Sequence, residues 1–182
     1  SGKIVKLSLG TVQFGLDYGI SNRDGRCSPG EVADIMTAAE DAGIDLLDTA
    51  PAYGDSETVI GSSISPNSRC RIVTKTPAFD HSAGGVVNSA MLRDTFERSL
   101  QRLRRDRLYG LLFHDCNDLL AADGDHLAAA MEDLKQRGLV EKIGVSIYDG
   151  TQIDNVLNRF PIDLIQVPIN VLDQRLVTGG HL

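Results

Sequence analysis

With 182 residues, 42% hydrophobic content and 24% charged content, the chain is long enough for one globular domain with a sizeable core. A net charge of -7 disfavours nucleic acid as a partner, and no apolar run reaches the length of a membrane span or forms a signal pattern at the amino end; no membrane partner is expected, and a cytoplasmic address is. Three cysteines, Cys27, Cys70 and Cys116, are odd in number and widely spaced, which argues against a disulfide framework or a zinc cage and fits a reducing compartment.

Apolar runs of strand length recur along the chain. The first is LSLG at 7 to 10, followed by the loop FGLDYGISNRDGRCS at 14 to 28. Its glycine, asparagine and aspartate content predicts mobility, and Phe14 and Tyr18 either line a pocket or pack the loop. Ser28 with Glu31 has the form of a capping box, Pro29 suits the first helical position and Gly43 lies just past the last turn. Within that helix Val32, Ile35, Met36 and Ala39 share a face. Strands are predicted at IDLLD (44 to 48) and RIVTK (71 to 75), then a helix carrying Leu92, Phe96, Leu100 and Leu103. A basic cluster at its end, Arg102, Arg104, Arg105 and Arg107, reads as solvated cations complementing the helix dipole. YGLLFH (109 to 114), a helix with Leu127, Met131 and Leu134, IGVSIY (143 to 148) and DLIQVPI (163 to 169) complete the series. Alternation of this kind predicts an α/β fold of stacked βα units with a parallel sheet buried on both faces, a barrel built in series.

Four polar residues stand where consecutive strands run out: Asp48 after IDLL, Tyr53 in the turn behind it, Lys75 after RIVT and His114 after GLLF. Strands of a parallel barrel deliver their carboxyl ends to one rim, so a carboxylate, a phenol, an amine and an imidazole can converge there. That pattern predicts an enzyme, with no metal in its site. Two other readings stay open: a Schiff-base lyase using Lys75, since a lysine at a barrel-strand end equips aldolases, and a non-catalytic interaction protein on the same scaffold.

The segment GIDLLDTAPAYGDSE, the Lys closing IVTKT and the His closing LLFHD resemble the aldo-keto reductases, NADPH-dependent barrel enzymes that reduce aldehydes and ketones. LGTVQFG is similar to that family's first strand end, and GVS at 144 to 146 and Gln166 in DLIQVP to its fifth and sixth. The resemblance implies a TIM-type (β/α)8 barrel, residues 1–182 forming a single domain that supplies six units and stops after the sixth strand.

It also implies a tetrad of Asp48, Tyr53, Lys75 and His114, with Tyr53 as the general acid that protonates the carbonyl of a small-molecule substrate. A Lys75 ammonium beside the phenol lowers its pKa toward neutrality, Asp48 fixes the amine, and His114 orients the substrate oxygen. For the NADPH cofactor it implies contacts from Gly10, Thr11, Val12, Gln13, Asp48, Ser146 and Gln166. Ile147 departs from the family, where many members place an asparagine, at a cost of one hydrogen bond or about 1 kcal/mol. A seventh strand and an eighth unit with the phosphate grip are expected beyond PINVLDQRLVTGGHL. Without them the resemblance predicts weak NADPH binding, poor turnover and self-association through open barrel edges.

Overall fold

The computed structural model describes residues 7–20, 22–65, 68–169 and 179–180. Of the closing segment PINVLDQRLVTGGHL, residues 170–178 and 181–182 lie outside the described residues. Strand and helix alternate: β1 Leu9–Gly10, α1 Val12–Gly15, α2 Pro29–Asp41, β2 Leu46–Asp48, α3 Ser56–Ser63, β3 Arg71–Lys75, a 3-10 turn His81–Ala83 and α4 Gly85–Leu103. They are followed by β4 Leu108–Phe113, α5 Cys116–Leu120, α6 Gly124–Gln136, β5 Val140–Ser146, α7 Gly150–Leu157 and β6 Leu164–Gln166.

The strands form one six-stranded sheet in chain order from β1 to β6. β1 with β2, β2 with β3 and β5 with β6 are parallel, in registers that pair Gly10 with Asp48, Asp48 with Val73 and Ser146 with Gln166. Neighbouring strands in chain order, joined through helices, are the repeat of the TIM-type barrel, and six strands with the helices between them lie among the described residues. The described residues pack as two compact units, one within Ser1–Thr74 and Glu97–Tyr109, the other within Lys75–Phe96 and Gly110–Leu182. No helix among the described residues is long and apolar enough to cross a membrane.

Local rules explain several boundaries. Ser28 and Glu31 close both halves of the capping box, so α2 starts at Pro29 as its sequence dictates. Val32 and Ala39 of that helix are buried while Ile35 and Met36 are half-buried. In α4 the core stripe is Leu92, Phe96 and Leu103, and in α6 it is Leu127, Met131 and Leu134. β6 is pinned by Asp163, whose carboxylate accepts from the Ile143 amide at 2.9 Å and from Lys135 Nζ at 2.7 Å.

Several strands are shorter than their apolar runs. LSLG contributes only Leu9–Gly10, IDLLD only Leu46–Asp48, and DLIQVPI only Leu164–Gln166. IGVSIY stops at Ser146 because Asp149 and Gln152 form a capping box for α7, and the Tyr148 and Asp149 amides turn to the Gln152 side chain.

Only half of the arginine cluster is the solvated fringe its position suggested: Arg104 and Arg107 are exposed, whereas Arg102 and Arg105 are half-buried and hold fixed partners. Arg102 Nε and Nη2 each lie 2.7 Å from Glu57 Oε2, whose residue is 1% exposed, and Arg105 Nη1 donates to the Ser65 carbonyl at 2.8 Å. Arg104, at φ 52°, takes the left-handed turn that ends α4. Helix α4 comes close enough to α3 for this because of Gly61: a Cβ there would lie 2.0 Å from the Arg102 carbonyl oxygen.

The loop expected to be mobile is laced by its own hydrogen bonds. Asn22 Oδ1 accepts from the Asp24 and Gly25 amides, Asp17 accepts from the Arg26 amide at 2.7 Å, and Arg26 pairs with Asp55 at 3.1 Å. Phe14 is core, whereas Tyr18 is 59% exposed.

Candidate active site

Asp48 ends β2, and the chain after it is held by a buried hydroxyl cluster. The Thr11 amide and hydroxyl both donate to the Asp48 carbonyl, at 3.0 and 2.8 Å. The Ser56 hydroxyl reaches the Thr11 carbonyl at 2.8 Å and lies 2.9 Å from Thr11 Oγ1, while Thr49 Oγ1 donates to Ser56 Oγ at 3.1 Å. All three residues are 1% exposed or less. A satisfied buried network of this kind fixes backbone rather than solvating it. It joins the end of β1, the end of β2 and the start of α3, and the Thr49 amide adds a bond to the Val73 carbonyl of β3 at 2.9 Å.

Tyr53 stands inside that frame. Its amide donates to the Ala50 carbonyl and its carbonyl accepts from the Ser56 amide, so residues 50–56 form consecutive turns, and Gly54 at φ 57° supplies the left-handed step. Gly15 of α1 lies against this turn: a Cβ there would lie 1.8 Å from the Tyr53 carbonyl oxygen. Asp48 and Tyr53 are both half-buried, so each is partly open to solvent.

Lys75 closes β3 and is 3% exposed. Thr76 links the ends of β3 and β4: its amide donates to the Leu112 carbonyl at 2.8 Å and its hydroxyl accepts from the His114 amide at 3.1 Å. His114, half-buried, therefore starts the loop after β4 at a fixed height, and the adjacent Asp115 serves as the N-cap of α5.

The residues matched to cofactor contacts fall at strand ends as well. Gly10 closes β1, and a Cβ on it would meet nothing within 4 Å. Val12 and Gln13 begin α1; the exposed Gln13 donates from Nε2 to the Tyr18 carbonyl at 2.8 Å. Ser146 and Gln166 are register partners on β5 and β6. A hydroxyl beside an amide offers both donor and acceptor, a set that fits a carboxamide. Ile147, fully buried, gives its backbone amide to the Gln166 carbonyl at 2.8 Å, so its side chain belongs to the core.

One group is absent from the sequence-derived set. Glu57, the second residue of α3, accepts from Thr74 Oγ1 at 2.6 Å through Oε1 and from Arg102 through Oε2. Its signal was a carboxylate on the helix face that also carries Ile60 and Gly61, a face that β-sheet packing buries.

A parallel βα repeat with its polar residues at the carboxyl ends of the strands is the arrangement of TIM-barrel enzymes. The Aldo/keto reductase family model matches residues 6–179, and the chain belongs to that family. It is similar to aldo-keto reductase YhdN of Bacillus subtilis, 31% identical over 151 residues that cover 79% of this chain and 45% of the relative. It is 26% identical over 160 residues to the NADH-specific methylglyoxal reductase of Escherichia coli, covering 79% of this chain and 49% of that protein. Among solved structures it is similar to PA4992 of Pseudomonas aeruginosa, described as a candidate aldo-keto reductase, with a TM-score of 0.76 and 32% identity over 92% of this chain and 64% of that one. The chain thus spans about half the length of the curated relatives it matches.

Proposed function

We propose that the protein reduces an aldehyde or ketone to an alcohol, with Tyr53 as the general acid. The observation that carries this reading is the order of the tetrad: Asp48, Lys75 and His114 each stand at or just past the carboxyl end of a successive strand, β2, β3 and β4, with Tyr53 in the turn after the first. Membership of the Aldo/keto reductase family supports the same reaction class.

The nicotinamide nucleotide supplies the hydride when bound; Ser146 and Gln166 would hold its carboxamide, and Gly10 leaves room at the end of β1. NADPH is the proposed cofactor, and because one relative is named NADH-specific both nucleotides belong in the assay. Tyr53 Oη delivers a proton to the carbonyl oxygen of the substrate. The Lys75 ammonium stabilises the phenolate that remains, and Asp48 keeps that ammonium charged and oriented. His114 donates a hydrogen bond to the substrate oxygen as negative charge develops on it.

The test is steady-state oxidation of NADPH and of NADH with nitrobenzaldehyde, for the unmodified protein and for Tyr53→Phe. Loss of the phenolic proton is expected to lower kcat by about 100-fold or more, the contribution of a positioned general acid. Equal rates in the two proteins would remove Tyr53 from the mechanism.

A further inference from the structure

Behind the Tyr53 turn lies a buried charge that the proposed chemistry does not use. Glu57 is 1% exposed, and its carboxylate makes short bonds in two directions, to Thr74 Oγ1 at 2.6 Å and to Arg102 Nε and Nη2 at 2.7 Å each. Arg102 Nη2 is also 3.2 Å from Ser99 Oγ. As a source of stability alone this is a poor device, since desolvating a carboxylate offsets most of what its partner returns, and apolar packing in the same space serves as well. What charge-assisted bonds add is direction: they fix the rotation and depth of a helix turn in a way that methyl groups do not.

The turn so fixed is the first of α3. Its leading residue, Ser56, donates its amide to the Tyr53 carbonyl and its hydroxyl to Thr11, and the other end of the Glu57 bond is Thr74, the residue before Lys75. One carboxylate thus ties the segment bearing the phenol to the strand end that leads into the amine. We propose that Glu57, acting through Thr74 and Arg102, is a positioning residue that sets the placement of Tyr53 and Lys75; this rests on their reading as general acid and cationic partner. Displacements of about 1 Å at reacting groups cost catalysis out of proportion to stability, which gives the idea its measurable consequence.

Thr74→Val removes one bond while leaving the Glu57–Arg102 pair intact; Thr74→Ser keeps the hydroxyl, and Glu57→Gln keeps the shape of the carboxylate. Each variant is compared with the unmodified protein by melting temperature, by kcat and KM with nitrobenzaldehyde and either nucleotide, and by the pH midpoint of Tyr53 ionisation. That midpoint is read from ultraviolet tyrosinate absorbance as the difference from Tyr53→Phe in the same background. Expected for Thr74→Val are a fall in kcat of about tenfold, a KM within about twofold, and a Tyr53 midpoint moved by about half a pH unit, all restored by Thr74→Ser.

A folded Thr74→Val with unchanged kcat and unchanged Tyr53 midpoint overturns the proposal and leaves the carboxylate a structural tie. If the unmodified protein reduces no aldehyde with either nucleotide, the functional reading is what fails. The Tyr53 midpoint then decides the positioning role by itself, a shift in Thr74→Val supporting it and no shift ending it. Should Glu57→Gln not fold, the Thr74 pair carries the same decision.

Discussion

Gly15 shows how a single absent side chain shapes the candidate site. A methyl group at this position would lie 1.8 Å from the Tyr53 carbonyl oxygen, 2.5 Å from the Ser56 amide nitrogen and 2.9 Å from the Asp55 amide nitrogen, all backbone atoms unable to rotate aside. Gly15→Ala is therefore expected to destabilise the fold by about 3 kcal/mol, the upper range for overpacking, measured as a fall in the urea midpoint at unchanged slope. A variant that melts like the parent would mean the Tyr53 turn does not sit against α1. The spacing of strand ends in the sequence singled out Tyr53 and its neighbours as candidates, but neither Gly15 nor Glu57, because their contacts join positions far apart along the chain. Arg102 meets Glu57 across 45 residues, and no local pattern encodes a pairing of that span. In the sequence the arginine therefore looked like one more solvated cation at a helix end.

Between elements, the clearest device outside the candidate site is a histidine held by two carboxylates. His81, in the turn after β3, places Nδ1 2.6 Å from Asp123 Oδ1 and Nε2 3.1 Å from Asp118 Oδ1, while Asn88 Nδ2 donates to the other Asp123 oxygen at 2.7 Å. A neutral imidazole carries one N–H, so bonding both carboxylates takes the imidazolium. The Asp123 hydrogen bond raises the His81 pKa above the ordinary 6.5, against a smaller opposing effect of burial. The Asn88 hydrogen bond holds Asp123 below the usual carboxylate value, and burial lifts Asp118 above it; Asp80 and Asp115 are the nearby charges.

The direction of the pH effect follows from these shifts. With its folded value raised, His81 contributes stability that is complete below about pH 6.5 and is lost as pH climbs through the folded value. Asp118, also raised, loses its contribution in the same direction, from carboxylate pH upward. Asp123, lowered, contributes above the ordinary carboxylate range and loses that contribution as pH falls through its folded value. Melting temperature is thus expected to decline as pH is raised from about 6.5 toward about 8, and His81→Asn is expected to flatten that decline. A parent protein with no slope over this interval would show that the imidazolium clamp does not form. The elements involved were only partly legible: the helix containing Leu127 and Met131 was plain from its periodicity, whereas the 3-10 turn and the short α5 are too brief to leave one.

At the scale of the whole molecule, the βα alternation was readable because parallel strands bury both faces and so appear as unbroken apolar runs, RIVTK above all, which matches β3 residue for residue. Strand ends were less readable, since capping turns and not hydropathy cut them short, as Asp149 and Gln152 do to β5. The three thiols offer a probe of global opening. Cys27 and Cys70 are partly exposed, but Cys116 is fully buried and its pKa is pushed up to about 11, first by that burial and then by Asp115. Only the thiolate attacks a disulfide reagent; burial raises the Cys70 thiol as well but leaves it partly exposed, so Cys27 and Cys70 are expected to react in the native protein, Cys70 slowly, and Cys116 only on unfolding. Release of three equivalents without denaturant would contradict the burial of α5.

Gly61 reaches beyond its own helix. Because it presents a bare backbone to the Arg102 carbonyl, the guanidinium comes within reach of a carboxylate one helical turn away. Had that spot carried even a methyl group, the two helices would stand apart, the acid would be stranded without its counterion, and selection would have had to neutralise it. The smallest residue in α3 is thus the one that permits an ionised group to be kept inside the protein at all.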